Sequence, residues 1–363
     1  MIRTALTELL GIRYPVVQAA MGYVSGPRLA AAVSDAGGLG LIASATMSLA
    51  ELEKAIEETA GRTAGPFGVN LRADAPDAAE RVRLIVARRV PVASFAQAPK
   101  PELIATLKDA GVVTIASIGA RRHAEKAAGW GVDAVIATGG EGGGHVGAVP
   151  TSLLVPQVAA AVDIPVIAAG GFFDGRSLVA ALAWGAAGIA MGTRFLLTSD
   201  SPVADAVKGV YLAAGLDGTV VTTRVDGVPH RVLRTTMVDH LEGRGRAGTG
   251  LANGPRRAGA LARSARNAVT FRGVSGMGWR EMLRQGRDMR RGSGLSWGQV
   301  LMAANTPVLL RAAMVDGRTD LGLMSSGQVA GLIGDLPSCA ELIESIMAEA
   351  GAALDRLDGV RKA

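Results

Sequence analysis

Eight short apolar segments alternate with helix-length segments between residues 15 and 214, and this alternation limits the folds that the chain can adopt. Continuous apolar strands joined by helical crossovers predict a parallel sheet that is buried on both faces. An open sheet usually has fewer strands, so a count of eight favours an α/β fold closed into a (β/α)8 TIM barrel. The predicted strands cover residues 16–20, 38–44, 67–71, 90–95, 112–117, 132–138, 164–170 and 186–192.

The regular alternation ends after residue 214, and the rest of the sequence predicts a C-terminal helical cap or insertion. We expect residues 1–215 to form the barrel itself. Residues 216–325, which include a stretch rich in arginine and glycine, are interpreted as a cap or substrate-binding segment. Residues 326–363 are expected to form helices that return to the barrel.

The composition argues against several other classes of protein. Hydrophobic residues make up 49% of the chain and charged residues 19%, which suits a large core and not a disordered chain. Cys339 is the only cysteine, so an intramolecular disulfide and a cysteine-based zinc or iron–sulfur site are excluded. The apolar runs are too short to cross a membrane, and the first residues lack the apolar stretch of a secretory signal. We therefore expect a soluble, cytoplasmic protein with no membrane partner.

The segment GGEGGGHVGAVP, residues 139–150, is the sharpest candidate for a functional loop. It follows the sixth predicted strand directly, and the carboxyl ends of the strands carry the active site in barrels of this kind. Its glycines, among them Gly143 and Gly144, let the backbone approach a flat or charged ligand because no Cβ intervenes. The Gly-Lys-Ser/Thr ending of a P-loop is missing. The segment therefore predicts a ligand-binding loop in preference to a flexible linker.

His145 lies in this loop and is the principal candidate for acid–base catalysis. An imidazole titrates near neutral pH, so it can take or give a proton under physiological conditions. The alternative is a histidine that only hydrogen-bonds a substrate or backbone group. His123 is predicted to be solvated on a charged helix, and His230 and His240 fall in the expected cap, where nothing distinguishes them.

Two glycine turns follow the seventh and eighth predicted strands, at Gly170–Gly171 and at Gly192–Thr193. Barrel enzymes frequently bind phosphate in these two turns, through backbone N–H groups and the start of a helix. Ordinary strand–helix turns are the alternative, but both turns occur in the expected strands. The residues therefore predict a phosphate-bearing ligand, and FMN, a nucleotide or a sugar phosphate would each satisfy them.

Several segments together resemble the nitronate monooxygenase family, formerly called 2-nitropropane dioxygenase, which includes FMN-dependent enoyl-acyl-carrier-protein reductases. The resemblance covers residues 10–235 and resumes near residues 300–350. The combination of the glycine–histidine loop with the two phosphate turns is specific. The segments are VVQAAMG (16–22), FGVNL (67–71), VDAVIATGGEGGGHVG (132–147), residues 164–202 and SSGQVAGLI (325–333).

The resemblance implies non-covalently bound FMN. It places His145 in the position of the family's catalytic histidine, which acts as a base on nitronates or helps to protonate an enone. This chain departs from the family at Ala20, where proline is usual, and at Thr138, where glutamine is common and reaches further. The residues implied to contact the cofactor are Ala20, Met21 and Gly22 at the ring, Asn70, Thr138 and Gln328 at its polar edges, Gly143 and Gly144 in the loop, and Gly170, Gly171, Gly192 and Thr193 at the phosphate.

Two reactions fit a chain of this family. The first is reduction of an α,β-unsaturated acyl thioester, such as a CoA thioester, or a related enone, with NADH or NADPH as co-substrate. The second is oxidation of alkyl nitronates with O2 by a nitronate monooxygenase. The arginine-rich stretch, which includes Arg290 and Arg291, favours the first, because guanidinium groups form forked contacts with the phosphates of CoA. A solvated basic face is the alternative. The cap also resembles that of actinobacterial members linked to degradation of CoA-bound steroid-ring fragments.

Other functions fit the sequence less well. The formal net charge of +6 raises the question of nucleic-acid binding, but the basic stretch at 243–291 lacks interleaved aromatic residues and a recognised motif. A barrel of the inosine-monophosphate-dehydrogenase type needs a nucleophilic cysteine in a barrel loop, whereas Cys339 lies near the C-terminus. No metal site is predicted. Barrels of this kind are often homo-oligomers, and the small-molecule substrate is the main expected partner.

Overall fold

Eight parallel strands form the centre of the computed structural model, which describes residues 2–96, 99–242, 297–320 and 322–362. Each predicted apolar segment overlaps one of these strands, so the predicted barrel is confirmed. The strands of the described chain, numbered in order, are β1 Val16–Gln18, β2 Gly40–Ala43, β3 Phe67–Leu71, β4 Val92–Phe95, β5 Val113–Ile118, β6 Ala134–Thr138, β7 Gly144–His145, β8 Val166–Ala169, β9 Gly188–Met191, β10 Thr219–Thr222 and β11 His230–Leu233.

The sheet closes on itself between β1 and β2. Its strand order is β1-β9-β8-β6-β5-β4-β3-β2, which leaves these two strands at the open edges. A parallel bridge between Val17 and Leu39 joins the edges. There Gln18 N donates to Leu39 O and Leu39 N donates to Val16 O, each at 2.9 Å. The ring of eight strands therefore turns all its carboxyl ends towards one mouth.

Helices follow the strands as the alternating sequence predicts. Local signals set their ends: Ser48 and Glu51 form a capping box at the start of α3, and Asp174 caps α8. The chain leaves α8 through Gly185, whose φ of 89° favours glycine. The helices are α1 Ala5–Leu10, α2 Pro27–Asp35, α3 Leu49–Arg62, α4 Ala78–Ala87, α5 Pro101–Asp109, α6 Arg121–Gly129, α7 Thr151–Ala159, α8 Gly175–Ala183, α9 Thr193–Leu196, α10 Asp205–Leu212, α11 Thr236–Leu241, α12 Trp297–Met314 and α13 Cys339–Lys362, with short 3-10 turns at Ser44–Thr46 and Gln328–Leu332.

The inside of the barrel is a packed core and not a pore. Buried side chains from alternate strand positions, such as Val17, Leu41 and Ile167, fill it. Leu6 of α1 belongs to the same cluster, and Thr4 Oγ1 donates to Ala187 O at 2.6 Å, just before β9 begins. Helix α1 therefore covers the amino-terminal end, and only the opposite mouth is left for a ligand.

The chain after the barrel adds a small sheet beside the mouth. Strands β10 and β11 form an antiparallel hairpin at the start of the predicted cap segment. Strand β11 also pairs with β7 inside the glycine-rich loop, with His230 opposite His145. Helix α13 packs against α8, where Gly175 N donates to Glu349 Oε2 at 2.9 Å. The domain boundaries at residues 215 and 325 stay a prediction.

Gly40→Ala is expected to destabilise the fold by about 2 kcal/mol, because overpacking a close backbone contact forces strand β2 away from α2. A Cβ on Gly40 would lie 2.0 Å from Ala30 O and 2.6 Å from Ala30 C. The free energy of unfolding in urea measures the effect. Gly61→Ala is the control, since no atom lies within 4 Å of its added Cβ. Equal stability of the two variants would contradict the tight packing at Gly40.

Candidate active site

The loop after β1 is held by a buried polar network that sequence reasoning missed. Gln18 is fully buried; its Oε1 accepts from Leu41 N at 3.1 Å and its Nε2 donates to Ser25 Oγ at 2.7 Å. Ser25 Oγ in turn accepts from Met21 N at 2.9 Å. Tyr23, in the same loop, has a φ of 65°, which is uncommon for a residue with a side chain. The network fixes the predicted Ala20–Gly22 segment at the mouth.

The glycine-rich loop folds back onto the barrel through its own backbone. Gly139 N donates to Ala169 O at 2.9 Å, and Gly140 N donates to Val149 O at 2.8 Å. The Glu141 carboxylate accepts from both Thr151 N and Thr151 Oγ1, at 2.9 and 2.6 Å. Glu141 therefore ties the loop to the first turn of α7. The acidic residue of this loop therefore has a structural role.

The C-terminal segment closes against the same loop. Gln328 N donates to Glu141 O at 2.9 Å, and Gly327 N donates to Thr193 Oγ1 at 2.9 Å. A Cβ on Gly143 would lie only 2.6 Å from Gly327 N, so a larger residue does not fit there. The structure thus brings together the predicted residues of the loop, of the turn after β9 and of the returning segment.

The remaining predicted residues lie around the same mouth. A Cβ on Gly192 would lie 3.5 Å from Met21 Sδ, so the turn after β9 faces the loop after β1. Thr138 lies under the glycine-rich loop, with its Cγ2 3.1 Å from the Cβ position of Gly142. Asn70 is buried at the end of β3, and its Nδ2 donates to Ser94 Oγ at 3.1 Å. Among the described residues, no side-chain hydrogen bond joins Asn70 to the glycine-rich loop.

The turns after β8 and β9 have the features of a phosphate cradle. Gly170 and Gly171 have φ values of 101° and 85°, a conformation that favours glycine. Within the described residues, the N–H groups of Gly171 and Gly192 donate no hydrogen bond. Helix α9 starts at Thr193, and the first N–H groups of a helix have no partner inside it. Free N–H donors at two glycines in neighbouring turns, beside the start of a helix, fit the phosphate of FMN.

His145 lies beside the mouth on β7, and a carboxylate that the sequence did not predict holds it. Its Nε2 lies 2.7 Å from Asp226 Oδ2. The His145 side chain is 58% exposed, whereas that of Asp226 is 12% exposed. The pairing of β7 with β11 positions both residues, because Asp226 lies in the turn just before β11. One ring nitrogen of His145 is thus fixed, and the exposed ring can meet a ligand.

Asp226 remains charged because its partners outweigh its burial. Burial alone would raise its pKa, but the hydrogen bond from His145 holds that pKa well below the usual range. Its Oδ1 also accepts from Val228 N at 3.1 Å. A fixed carboxylate behind a histidine is the arrangement that orients an imidazole and stabilises its protonated form.

His230 lies directly behind His145, with the ring centroids 4.7 Å apart. It is 3% exposed, and its Nε2 lies 2.8 Å from Ser325 Oγ. Its Nδ1 is 3.7 Å from Asp226 Oδ2, which is too long for a hydrogen bond. Sequence reasoning gave His230 no role and missed Asp226 and Ser325. The Asp226-Gly227 turn four residues before His230 was the one local signal that could have pointed to them.

Arg231 joins the glycine-rich loop to the hairpin by hydrogen bonds. Its Nε and Nη2 both donate to Gly140 O, at 3.1 and 2.9 Å, and its Nη1 donates to Thr219 Oγ1 at 2.9 Å. This forked contact fixes the loop that carries His145. Arg290 and Arg291, predicted to bind substrate, lie outside the described residues.

Cys339 takes no part in this site. It is fully buried at the start of α13, and burial, followed by the nearby charge of Asp200, raises the pKa of its thiol to about 12. A thiol in this state is a poor nucleophile. Its position agrees with the sequence-based rejection of a cysteine-dependent barrel enzyme.

No helix of the described chain combines the length and apolar character needed to cross a bilayer.

The family model for nitronate monooxygenase matches residues 3–83 and 79–349 of the chain. The chain belongs to the nitronate monooxygenase family. The resemblance inferred from the sequence is therefore confirmed. In this family, the chain is an oxidoreductase, as expected, and membership also supports the expected flavin cofactor.

Two relatives in this family match almost the whole chain. A (3aS,4S,5R,7aS)-5-hydroxy-7a-methyl-1-oxo-octahydro-1H-indene-4-carboxyl-CoA dehydrogenase from Mycobacterium tuberculosis is 61% identical over 352 residues, which are 96% of this chain and 96% of the relative. A protein of the same name from Rhodococcus jostii is 56% identical over 360 residues, 99% of each chain.

A solved structure of a family relative confirms the fold. FabK from Thermotoga maritima superposes with a TM-score of 0.79 at 34% sequence identity, covering 99% of this chain and 100% of FabK. The two chains thus share one fold over almost their whole length.

Proposed function

We propose that this protein is an FMN-dependent dehydrogenase that removes hydrogen across the Cα–Cβ bond of an acyl-CoA thioester. The observation that carries the proposal is His145, held 2.7 Å from Asp226 beside a phosphate cradle at the barrel mouth. One proton leaves Cα and one hydride equivalent leaves Cβ, and NAD⁺ or NADP⁺ finally takes up the two electrons. The reverse reaction, reduction of the α,β-unsaturated thioester with NADH or NADPH, uses the same groups.

The family and the cradle together support FMN as the cofactor. Bound FMN would supply the redox chemistry by accepting the hydride equivalent from the substrate. The residues proposed to hold its phosphate are Gly170, Gly171, Gly192 and Thr193. Those proposed at its ring and edges are Ala20, Met21, Gly22, Asn70, Thr138, Gly143, Gly144 and Gln328.

His145 is proposed to take the Cα proton. A thioester carbonyl acidifies the neighbouring C–H bond, so a base with the strength of an imidazole suffices. With the Nε2–H directed at Asp226, the Nδ1 atom carries the lone pair that accepts the proton. The charged Asp226 then stabilises the imidazolium ion that forms. The exposed ring of His145 lets the proton pass on to solvent afterwards.

The choice of substrate is supported by the two relatives, whose names describe a bicyclic carboxyl-CoA thioester and dehydrogenation. The sequence favoured reduction of an unsaturated thioester, which is the same bond change in the opposite direction. Arg290 and Arg291 are proposed to contact the CoA phosphates from the arginine-rich stretch. The proposal places the enzyme in the cytoplasm, where CoA thioesters and pyridine nucleotides occur, and allows for a homo-oligomer.

A steady-state comparison of two substrate classes tests the proposal. Under anaerobic conditions, the enzyme should form NADH or NADPH from a saturated bicyclic carboxyl-CoA thioester. With an alkyl nitronate in air, it should consume O2 much more slowly. The family name makes nitronate oxidation the competing function. Rapid O2 uptake with the nitronate and no turnover of the thioester would replace the dehydrogenase by a nitronate monooxygenase.

Gly171→Ala is expected to weaken FMN binding by roughly 5–30-fold, because the free turn can relax from the left-handed region and binding must then restore that conformation at a cost of about 1–2 kcal/mol. The φ of Gly171 is 85°, and its N–H is one of the proposed phosphate donors. Fluorescence titration of the flavin-free protein with FMN measures the dissociation constant. Gly147→Ala is the matched control in the neighbouring loop, where the nearest atom to the added Cβ is 3.4 Å away. Unchanged FMN affinity in Gly171→Ala would remove this turn from the phosphate site.

A further inference from the structure

Three side chains beside the mouth, His145, Asp226 and His230, carry atoms that suit a transition-metal ion. One ligand atom from each lies within 4.8 Å of the other two. His145 Nε2 and His230 Nδ1 lie 2.7 and 3.7 Å from the same oxygen, Asp226 Oδ2. Ligands about 2.0–2.1 Å from a tetrahedral zinc ion are roughly 3.3 Å apart, so these two separations bracket the required spacing.

The Nδ1 atom of His230 is an independent sign of a missing partner. The side chain is 3% exposed, and no hydrogen-bond partner of this atom lies in the described part of the chain. In the tautomer whose Nε2–H donates to Ser325 Oγ, the Nδ1 lone pair faces the negative Asp226 carboxylate. Two electron-rich atoms then face each other across a gap without a proton. A cation between them satisfies both.

In two of the three groups, a hydrogen bond to a second atom of the group fixes its orientation, as is usual for metal ligands. The backbone N–H of Val228 donates to Asp226 Oδ1, which leaves Oδ2 for a cation. The Ser325 hydroxyl lies against His230 Nε2, which leaves Nδ1 for the same cation. The third group, His145, is 58% exposed, so an ion can enter from solvent on that side.

We propose that His145, Asp226 and His230 form a reversible binding site for Zn²⁺. Two imidazoles and one carboxylate favour zinc over Mg²⁺ and Ca²⁺, which prefer oxygen ligands throughout. Three protein ligands leave the fourth position to a water molecule, as in open zinc sites. Sequence analysis did not predict this site, because Asp226 is 81 residues away from His145.

Zn²⁺ bound here withdraws His145 from acid–base catalysis. With the ion on Nε2, the neutral ring carries its proton on Nδ1, so the lone pair that would take the Cα proton is lost. The ion also occupies the carboxylate that stabilises the imidazolium form. Zn²⁺ is therefore expected to inhibit hydrogen removal. This consequence rests on the proposed function, whereas the binding of the ion does not.

Isothermal titration of the tag-free, flavin-loaded, full-length protein with Zn²⁺ tests the site directly. One ion per chain should bind, and Co²⁺ should give visible bands of a four- or five-coordinate ion beyond the flavin absorption. His230→Phe keeps an aromatic ring beside that of His145 but removes the ligand atom. Its affinity should fall at least about 10–100-fold, the scale for losing even an outer partner. Asp226→Asn provides a second variant, and His123→Gln, on exposed helix α6, is the control.

The outcomes separate the site from the proposed function. No stoichiometric binding by the wild-type protein, or equal affinity in His230→Phe and Asp226→Asn, would overturn the zinc site. Loss of binding in His123→Gln would assign the ion to another place and would also overturn it. Specific binding without inhibition would support the site and contradict the proposed role of His145. Binding with inhibition that a chelator reverses supports both.

Discussion

His145→Ala is expected to slow hydrogen removal from the acyl-CoA substrate by about 10²–10⁴-fold, the usual contribution of a positioned acid–base group. The expected loss follows from the position of the ring, exposed at the mouth and held 2.7 Å from a charged carboxylate. FMN should stay bound, because no predicted phosphate contact involves this side chain. Single-turnover bleaching of the flavin by the thioester measures the rate of the chemical step.

The control for this experiment is His123→Ala. His123 is exposed on helix α6 and belongs to none of the described contacts of the site. Its removal should leave both FMN binding and the rate unchanged. If His145→Ala retains the wild-type rate with FMN bound, His145 is not the base, and the proposed mechanism of hydrogen removal is wrong.

Asp226→Asn is expected to slow the same step by roughly 10²–10³-fold, less than the ~10⁴-fold cost of the same change in a fully buried serine-protease triad. The amide of asparagine donates where the carboxylate accepts, so it favours the wrong tautomer of His145. It also removes the negative charge that stabilises the imidazolium ion. The amide keeps the volume of the side chain, and its effect should therefore appear in the rate and only slightly in stability.

Two comparisons separate positioning from a general structural effect. Asp226→Glu keeps the charge and should recover part of the rate. Asp217→Asn makes the same chemical change at an exposed position just before the hairpin and should have no effect. Measured separately, kcat should fall in Asp226→Asn while KM changes little. A change confined to KM, or a Glu variant as slow as Asn, would contradict the positioning role.

The barrel was predictable because its signal is local and repeated. Each apolar run, such as residues 67–71, is bounded by turn residues, and each of the eight predicted runs overlaps a strand. The glycine-rich loop and the two turns after β8 and β9 were visible for the same reason. Their glycines indicate backbone conformations that other residues rarely adopt. Because each follows the carboxyl end of a strand, they were predicted to lie at the mouth of the barrel.

The partners of His145 were not predictable because they depend on tertiary pairing. Strand β7 has only two residues, and nothing periodic in the sequence indicates that it pairs with β11. That pairing brings Asp226 and His230 to His145 across 81 and 85 residues. The clamp between Glu141 and Thr151 is likewise a contact between a loop and a helix start. The sequence contains these residues but does not show which residues contact them in the folded protein.

Anaerobic mixing of the yellow enzyme with a saturated bicyclic carboxyl-CoA thioester, without pyridine nucleotide, distinguishes a dehydrogenase from a nitronate monooxygenase. We expect the visible absorption of bound flavin to bleach in a single turnover, the unsaturated thioester to appear in equal amount, and NAD⁺ or NADP⁺ to restore the colour. A flavin that stays oxidised with the thioester but bleaches with an alkyl nitronate would show that the protein is not an acyl-CoA dehydrogenase.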